Sequence, residues 1–313
     1  MSHRAQRMLV ALAVDASLGD PPNTLHPVVA MGRWLQLGEQ FAPSDPAGRL
    51  IWGAVWTCGG MGVSATVAAL LPRHTLAQGA AASLLLSYRT LDRAVSAVQA
   101  ALSTGDLAQA RQLLGWHLVS RPTAELSAPD VAAAAIESLA ENLSDSVVAP
   151  LCWYAAGGLP ALAAYRFSNT ADAMWGYRDA RYEHLGKVAA RIDDILNWAP
   201  ARATALLIVL AAQLTNGRGR AAWSVALRDA SNTASPNAGW PMAAIAGVLD
   251  TTLVKIGHYR LGHGARSPDA AMIVEARRTV RRAVSIMVML LLAVSIGGRA
   301  HPRHSAREMG DSR

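Results

Sequence analysis

The chain has 313 residues, 52% of them hydrophobic and 16% charged, with a formal net charge of +7. Its mean hydropathy is +0.20. An ordinary soluble domain is about 25% charged. The composition therefore argues against disorder and against a free, water-solvated enzyme, and points to one membrane-embedded unit over residues 1–313.

The basic charge is almost all arginine, since Lys187 and Lys255 are the only lysines. From Asp250 to Arg313 there are eleven Lys/Arg against five Asp/Glu, including a basic tail at about 299–313. These bases flank apolar runs and no groove-reading motif accompanies them. A positive-inside role at a membrane explains them better than nucleic acid does.

Arg4 and Arg7 precede an apolar stretch from Met8 to Leu18 that mimics a signal peptide. Asp15 interrupts it, and Gly19, Pro21, Pro22 and Asn23 follow in place of a cleavage site, so an uncleaved helix ending at a turn is predicted. Asp15, Asp20 and His26 crowd this helix exit, where the histidine is a candidate for proton transfer. Leu50 to Pro72 carries no charge for 23 residues, enough to cross a hydrocarbon core of about 30 Å. A tight connection at Pro72–His74 leads into a shorter apolar run, His74–Tyr88. Cys58 and Cys152 lie inside apolar runs and read as buried small hydrophobes.

Three helices are then predicted: Arg89–Leu102, Asp106–Val119, and Pro129 to about Leu143. The third carries Glu137, Glu141 and Asp145 at spacing four and four. On a helix these carboxylates stack in one stripe and repel one another. Near a membrane such groups are costly and usually functional, and oxygen-only donors suit Mg²⁺ rather than Zn²⁺. Ser146–Tyr165 is charge-free for 20 residues, but Pro150, Gly157, Gly158 and Pro160 are placed to break it into a re-entrant pair.

Beyond it, Asn169 and Asp172 share a helix face, with Tyr177 and Arg178 following. Next come Arg191, Asp193, Asp194, Asn197 and Arg202, in which one aspartate serves a site while the other pairs with Arg191 or Arg202. Ala203–Gly217, at 15 residues, is predicted too short to span alone and to lie buried or re-entrant. Ser235-Pro-Asn237-Ala-Gly239-Trp240-Pro241 makes a rigid turn able to present an Asn amide and backbone N–H groups. Ala283–Gly298 is the last apolar run. There is no strand alternation and no internal repeat, so the fold class is all-α, a polytopic integral membrane protein with buried or re-entrant segments. No GxxxxGK[ST], GxGxxG, CxxC, HExxH or GxSxG motif occurs.

Five ordered blocks resemble the CobD/CbiB family of cobalamin biosynthesis proteins. They are DASLGDPPN with HP (Asp15–Pro27), IESLAENLSDSVVAPL (Ile136–Leu151), AYRFSNTADAMWGYR (Ala164–Arg178), ARIDDILNWAPAR (Ala190–Arg202) and SPNAGWPMAAIAG (Ser235–Gly247). The resemblance implies a multi-pass protein of the cell inner membrane with its active site facing the cytoplasm. The implied activity is an amide synthase, adenosylcobinamide-phosphate synthase. It joins (R)-1-aminopropan-2-ol or its O-phosphate to adenosylcobyric acid, with ATP and Mg²⁺ as cofactors and other corrinoid-pathway proteins as partners. Under that resemblance Glu137, Glu141 and Asp145 hold Mg²⁺ and nucleotide phosphates. Asp172, Asp193 or Asp194 adds metal oxygens or deprotonates the incoming ammonium. Arg178, Arg191 and Arg202 hold a phosphate, and Asn237 with its turn grips a corrin amide. Asp15, Asp20, His26, Asn142, Asn169, Tyr177, Asn197, Ser235, Gly239 and Trp240 complete the candidate substrate contacts. The alternative is a non-enzymatic membrane sensor or transporter, AmpE-like. A transporter places its polar residues near the midplane of its spans, whereas here they lie at span ends and in connections.

Overall fold

Among the described residues, three helices are long and apolar enough to cross a bilayer: α3 (Pro46–Leu70), α10 (Lys187–Asn216) and α13 (Ala270–Gly297). The computed structural model describes residues 2–22, 24 and 26–297. Asn23 and the basic tail lie outside the described residues. The described residues are all-α apart from one short hairpin, the class that the absence of strand alternation predicts. The remaining helices are α1 (Ser2–Leu18), α2 (Pro27–Gln40), α4 (Thr75–Ser83), α5 (Tyr88–Ser103), α6 (Leu107–His117), α7 (Ala128–Leu143), α8 (Ala149–Gly157), α9 (Leu159–Trp175), α11 (Gly219–Asp229) and α12 (Gly239–Leu249).

The centre of the molecule is α7 with α12. Every residue from Val131 to Ala140 is buried, and so is nearly all of α12. α12 is apolar on all sides, as a helix inside a bundle is, whereas the buried stretch of α7 carries Glu137 and Ser138 among its apolar residues. α7 starts sharply because Ser127 and Asp130 form a reciprocal capping box, with Pro129 in the first turn. Around this centre α3 packs on α9, α1 on α4 and α13, and α11 on α12. α3 instead turns Ile51, Val55, Val63 and Val67 outward, as a lipid-facing helix does.

Four sequence expectations change. Cys58 and Cys152 are exposed on the outer faces of α3 and α8, because these apolar helices face out of the bundle. A two-stranded antiparallel hairpin exists, β1 (Leu253–Lys255) with β2 (Tyr259–Leu261), its strands too short to show alternation. Ala203–Gly217 is not a separate short segment but the second half of the 30-residue α10 with its capping Gly217. Pro200 does not end that helix. Its missing N–H leaves the Leu196 carbonyl free, and the Trp153 indole N–H donates to it at 3.1 Å. Of the run Ala283–Gly298, residues 283–297 likewise belong to the longer α13, and Gly298 lies outside the described residues.

The run Ser146–Tyr165 breaks where its glycines and prolines fall. A π-helical turn spans Ser144–Val148, α8 follows, and Gly158 at φ 74° hinges the chain into α9. In the π turn the Ala149 N–H bonds Ser144 rather than Asp145, and Pro150 has no N–H to offer. The freed Asp145 carbonyl lies 3.2 Å from the Tyr165 hydroxyl and accepts from Arg166 Nη1 at 3.4 Å. The Ser146 carbonyl accepts from the Ser87 N–H at 3.2 Å.

Candidate functional site

A cavity of about 240 Å³ opens where the π turn, the end of α9, the first half of α10 and the 233–238 loop meet. Five carboxylates line it: Glu141, Asp145, Asp172, Asp193 and Asp194. Arg178 is the basic side chain on its wall, with Asn197, Ser235 and Asn237. Blocks two to five of the sequence thus converge.

Asp193 is buried and held from both sides. Asn197 Nδ2 donates to its Oδ2 at 2.9 Å, and Asn169 Nδ2 reaches its Oδ1 at 3.4 Å. The Tyr165 hydroxyl lies 2.9 Å from Asn197 Oδ1, and Arg166 Nη1 donates to Asn169 Oδ1 at 3.2 Å. Asn169 therefore stands behind the cavity as a support. Burial raises the Asp145 carboxyl well above its usual range, with repulsion from Asp193 and Glu141 adding to it. Asp172 is pushed up to about 6 by burial and then by Asp194. Ser144 Oγ, on the cavity wall, is buried without a hydrogen-bond partner among the described residues.

The expected three-carboxylate metal set is not gathered at one point. Each i, i+4 step leaves a residue roughly 40° off the previous one, so Glu137 and Asp145 face in different directions. Glu137 opens on a second cavity of about 250 Å³ with Arg121, Lys255 and Tyr259, and Glu141 lines both. Burial pushes the Glu137 carboxyl up to about 7 against the pull of Arg121. Among the described residues, no three His, Cys, Asp or Glu side chains form a ready metal cage.

Other expected contacts are structural. Arg202 is sandwiched between the rings of Trp198 and Trp240, at 4.4 and 4.8 Å, and donates to Asn237 Oδ1 at 3.3 Å, so it does not face the cavity. Asn237 Nδ2 donates to the Asp194 carbonyl at 2.7 Å, which leaves its amide committed to the protein rather than to a corrin amide. Ser235 Oγ accepts from the N–H groups of Asn237 and Ala238. Gly239 is needed because a Cβ there would sit 2.0 Å from the Ala230 carbonyl oxygen. Trp240 packs on Trp223. Asn142 Nδ2 donates back to Ser138 within α7. Arg191 pairs with Asp194 at 3.7 Å and, with Tyr177 and Lys187, lines an adjoining cavity that shares Arg178 and Asp194 with the first.

The first block stays apart. Asp15 Oδ2 accepts from the Arg89 N–H at 3.2 Å, and Ser87 Oγ donates to Asp20 Oδ2 at 3.1 Å. His26 caps α2 by accepting from the Val28 N–H at 3.2 Å and lies 3.9 Å from Asp20. These residues tie the α1 exit to the start of α5, outside the cavity lining. Sequence reasoning missed Arg121, Lys255, Tyr259, Tyr165, Arg166 and Ser144. Lys255 was visible as one of two lysines, and Tyr165 and Arg166 lie within the third block.

Fold and cavity together define a helical membrane protein with an acidic pocket walled by four separate segments of chain. The family model described as CobD/Cbib protein matches residues 8–287, and the chain belongs to the CobD/CbiB family. It is 39% identical over 274 residues to the "Cobalamin biosynthesis protein CobD" of Dehalococcoides mccartyi, covering 82% of this chain and 86% of that one. The protein of the same name from Brucella suis is 37% identical over 315 residues, covering 92% and 96%. That of Geobacter metallireducens is 40% identical over 262 residues, covering 81% and 82%. No solved structure matches the chain.

Proposed function

We propose that the protein forms an amide between the free propionate of adenosylcobyric acid and (R)-1-aminopropan-2-ol or its O-phosphate, driven by ATP. Family membership supports a role in cobalamin biosynthesis. The observation that carries the finer reading is the cavity of five carboxylates around one guanidinium, with the unpartnered Ser144 Oγ on its wall.

A cavity of about 240 Å³ is too small for a corrin macrocycle. The ring sits outside and only the propionate arm enters. Net, carboxylate, ammonium and ATP give amide, ADP, phosphate and one proton. The carboxylate oxygen attacks the terminal phosphorus and ADP leaves. The amine nitrogen then attacks the acyl carbon and phosphate leaves. Before that attack the ammonium gives up a proton, and Asp172, Asp193 or Asp194 is placed to accept it.

All the acidic donors are oxygen, as Mg²⁺ prefers, and Glu141 and Asp145 are the ones to hold it, leaving the aspartates of α9 and α10 free to take the proton. An ion carried on a nucleotide with its own waters needs only one or two of these carboxylates. When bound, Mg²⁺ neutralises phosphate oxygens during transfer. Arg178 faces the same space and suits a planar, permanently charged grip on phosphate. We place the pocket on the cytoplasmic side of the inner membrane, where ATP is supplied.

The test is the detergent-purified protein with adenosylcobyric acid, ATP, Mg²⁺ and each amino alcohol, read by mass spectrometry. The amide mass is expected only with ATP present. Absence of product with either amine overturns the reading.

A further inference from the structure

We propose that the second cavity seats a short zwitterionic aminoalkyl phosphate, with Arg121 and Lys255 taking the phosphate and Glu137 and Glu141 taking the ammonium. This rests on the amide-synthase reading and assigns its amine substrate a place.

The cavity is built from three separate parts of the chain. Arg121 follows α6, in a segment anchored where Ser138 Oγ of α7 donates to the Leu118 carbonyl at 2.9 Å. Lys255 and Tyr259 are opposite one another in the β hairpin, which Gly257 closes at φ 76°. The Lys255 ammonium lies 5.9 Å from the Tyr259 ring centre. The hairpin therefore hangs a cation and a phenol over α7.

Glu137 is 5% exposed; the Tyr259 hydroxyl hydrogen-bonds its carboxylate, and its Oε1 has no hydrogen-bond partner among the described residues. A buried carboxylate oxygen without a partner is costly. Arg121 and Lys255 both act on Glu137 electrostatically, yet neither closes a salt bridge with it. Two cations and two carboxylates that line one space without pairing off are complementary to a ligand with a charge of each sign. A purely anionic ligand leaves Glu137 opposed, and a purely cationic one leaves Arg121 and Lys255 opposed. At about 250 Å³ the space fits a small amine phosphate and excludes a corrin.

The two cavities share Glu141. An ammonium held between Glu137 and Glu141, one helical turn apart, is thereby delivered to the edge of the acidic cavity where the activated carboxyl arrives. The phosphate end stays behind with Arg121 and Lys255.

Equilibrium binding to the purified protein tests this with three probes: 1-aminopropan-2-ol O-phosphate, inorganic phosphate and ATP. Arg121→Gln and Lys255→Met are each expected to weaken the aminoalkyl phosphate about 10- to 100-fold, the range for a charge-assisted hydrogen bond. Lys255→Arg should recover most of that loss, which separates charge from folding. Glu137→Gln should weaken the aminoalkyl phosphate but not inorganic phosphate. In turnover, the KM of the phosphorylated amine should rise more than that of the free amino alcohol in Lys255→Met. Unchanged affinity in both cation variants overturns the proposal. Displacement by ATP, with both variants weakening ATP, also overturns it and gives the cavity to the nucleotide. Binding that follows the expected pattern without amide product in the wild type would instead sink the synthase reading alone.

Discussion

Removing the Asn237 side chain is expected to damage the protein more than removing its neighbour Ser235. Asn237 is 6% exposed and stitches the 233–238 loop to α10 twice, through the Asp194 carbonyl and through Arg202. Asn237→Ala deletes both bonds and leaves two polar groups short of a partner, at about 1–3 kcal/mol for each group left buried. Partial access to water lowers the sum to about 2–4 kcal/mol. Ser235 accepts from two backbone N–H groups, as a helix cap does, and losing a cap costs about 1 kcal/mol. At roughly 2 °C per kcal/mol for a chain of this size, melting in detergent should fall by roughly 4–8 °C for Asn237→Ala and by roughly 2 °C for Ser235→Ala. The same loop walls the acidic cavity, so amide formation should fall with it, by about 10²-fold for a displacement near 1 Å. A larger loss of melting temperature in Ser235→Ala than in Asn237→Ala would refute this account of the loop.

Three further outcomes are expected. Glu141→Gln and Asp145→Asn should abolish amide formation, and should also remove the rise in melting temperature that Mg²⁺ with ATP gives the wild type; wild-type turnover at limiting Mg²⁺ would end the metal role. The Asp172 carboxyl is raised from 3.8 to about 6 by folding, so its contribution is fully present below pH 3.8 and is lost as pH rises through 6, at about 3 kcal/mol. Asp172→Asn should therefore melt above the wild type at pH 7.5 without Mg²⁺, and melting curves across pH should converge near pH 4; a gap that does not grow with pH contradicts the assignment. Single cysteines at the exposed positions Ala180 and Ser231, in a background lacking Cys58 and Cys152, should both escape an impermeant thiol reagent until cells are opened. Labelling of one and not the other on intact cells breaks the single-pocket arrangement.

Helix positions were legible because their signals are local. Ser127-Ala-Pro129-Asp130 announces α7, and Gly157-Gly158-Pro160 announces the break before α9. The gathering of Glu141, Asp145, Asp172 and Asp193 was legible as blocks but not as geometry. Spacing of four and four put Glu137 with Asp145, and only the drift of the helix and the π turn separate them. Arg202 looked like a phosphate ligand because a sequence shows its charge but not the two indoles that clamp it. Arg121 and Lys255 come from distant segments in which no pattern links them. The division of α10 at Ala203 arose from counting charges, since a helix half in a polar site and half apolar changes composition without changing conformation.

That division bears on whether one pocket can exist at all. If residues 203–217 cross the bilayer, the loop after them starts on the far side from Asp193. α10 runs 16 residues beyond Pro200, about 24 Å at 1.5 Å per residue. Gly217, left-handed at φ 71°, then reverses the chain into α11. α11 is 11 residues long and its 3₁₀ continuation three, a return of about 22 Å. The outward and return legs nearly match. Contacts fix the same path: Gly219 packs on Val209 and Gln213 of α10, and Gly247 near the end of α12 packs on Ala222 of α11. Asn237 at the start of α12 meets Asp194 and Arg202. The chain thus leaves the site along α10 and comes back to it along α11. The 176–186 and 233–238 segments end level with each other whatever depth the turn at Gly217 reaches. A deep excursion and a shared pocket are compatible because the excursion is a hairpin.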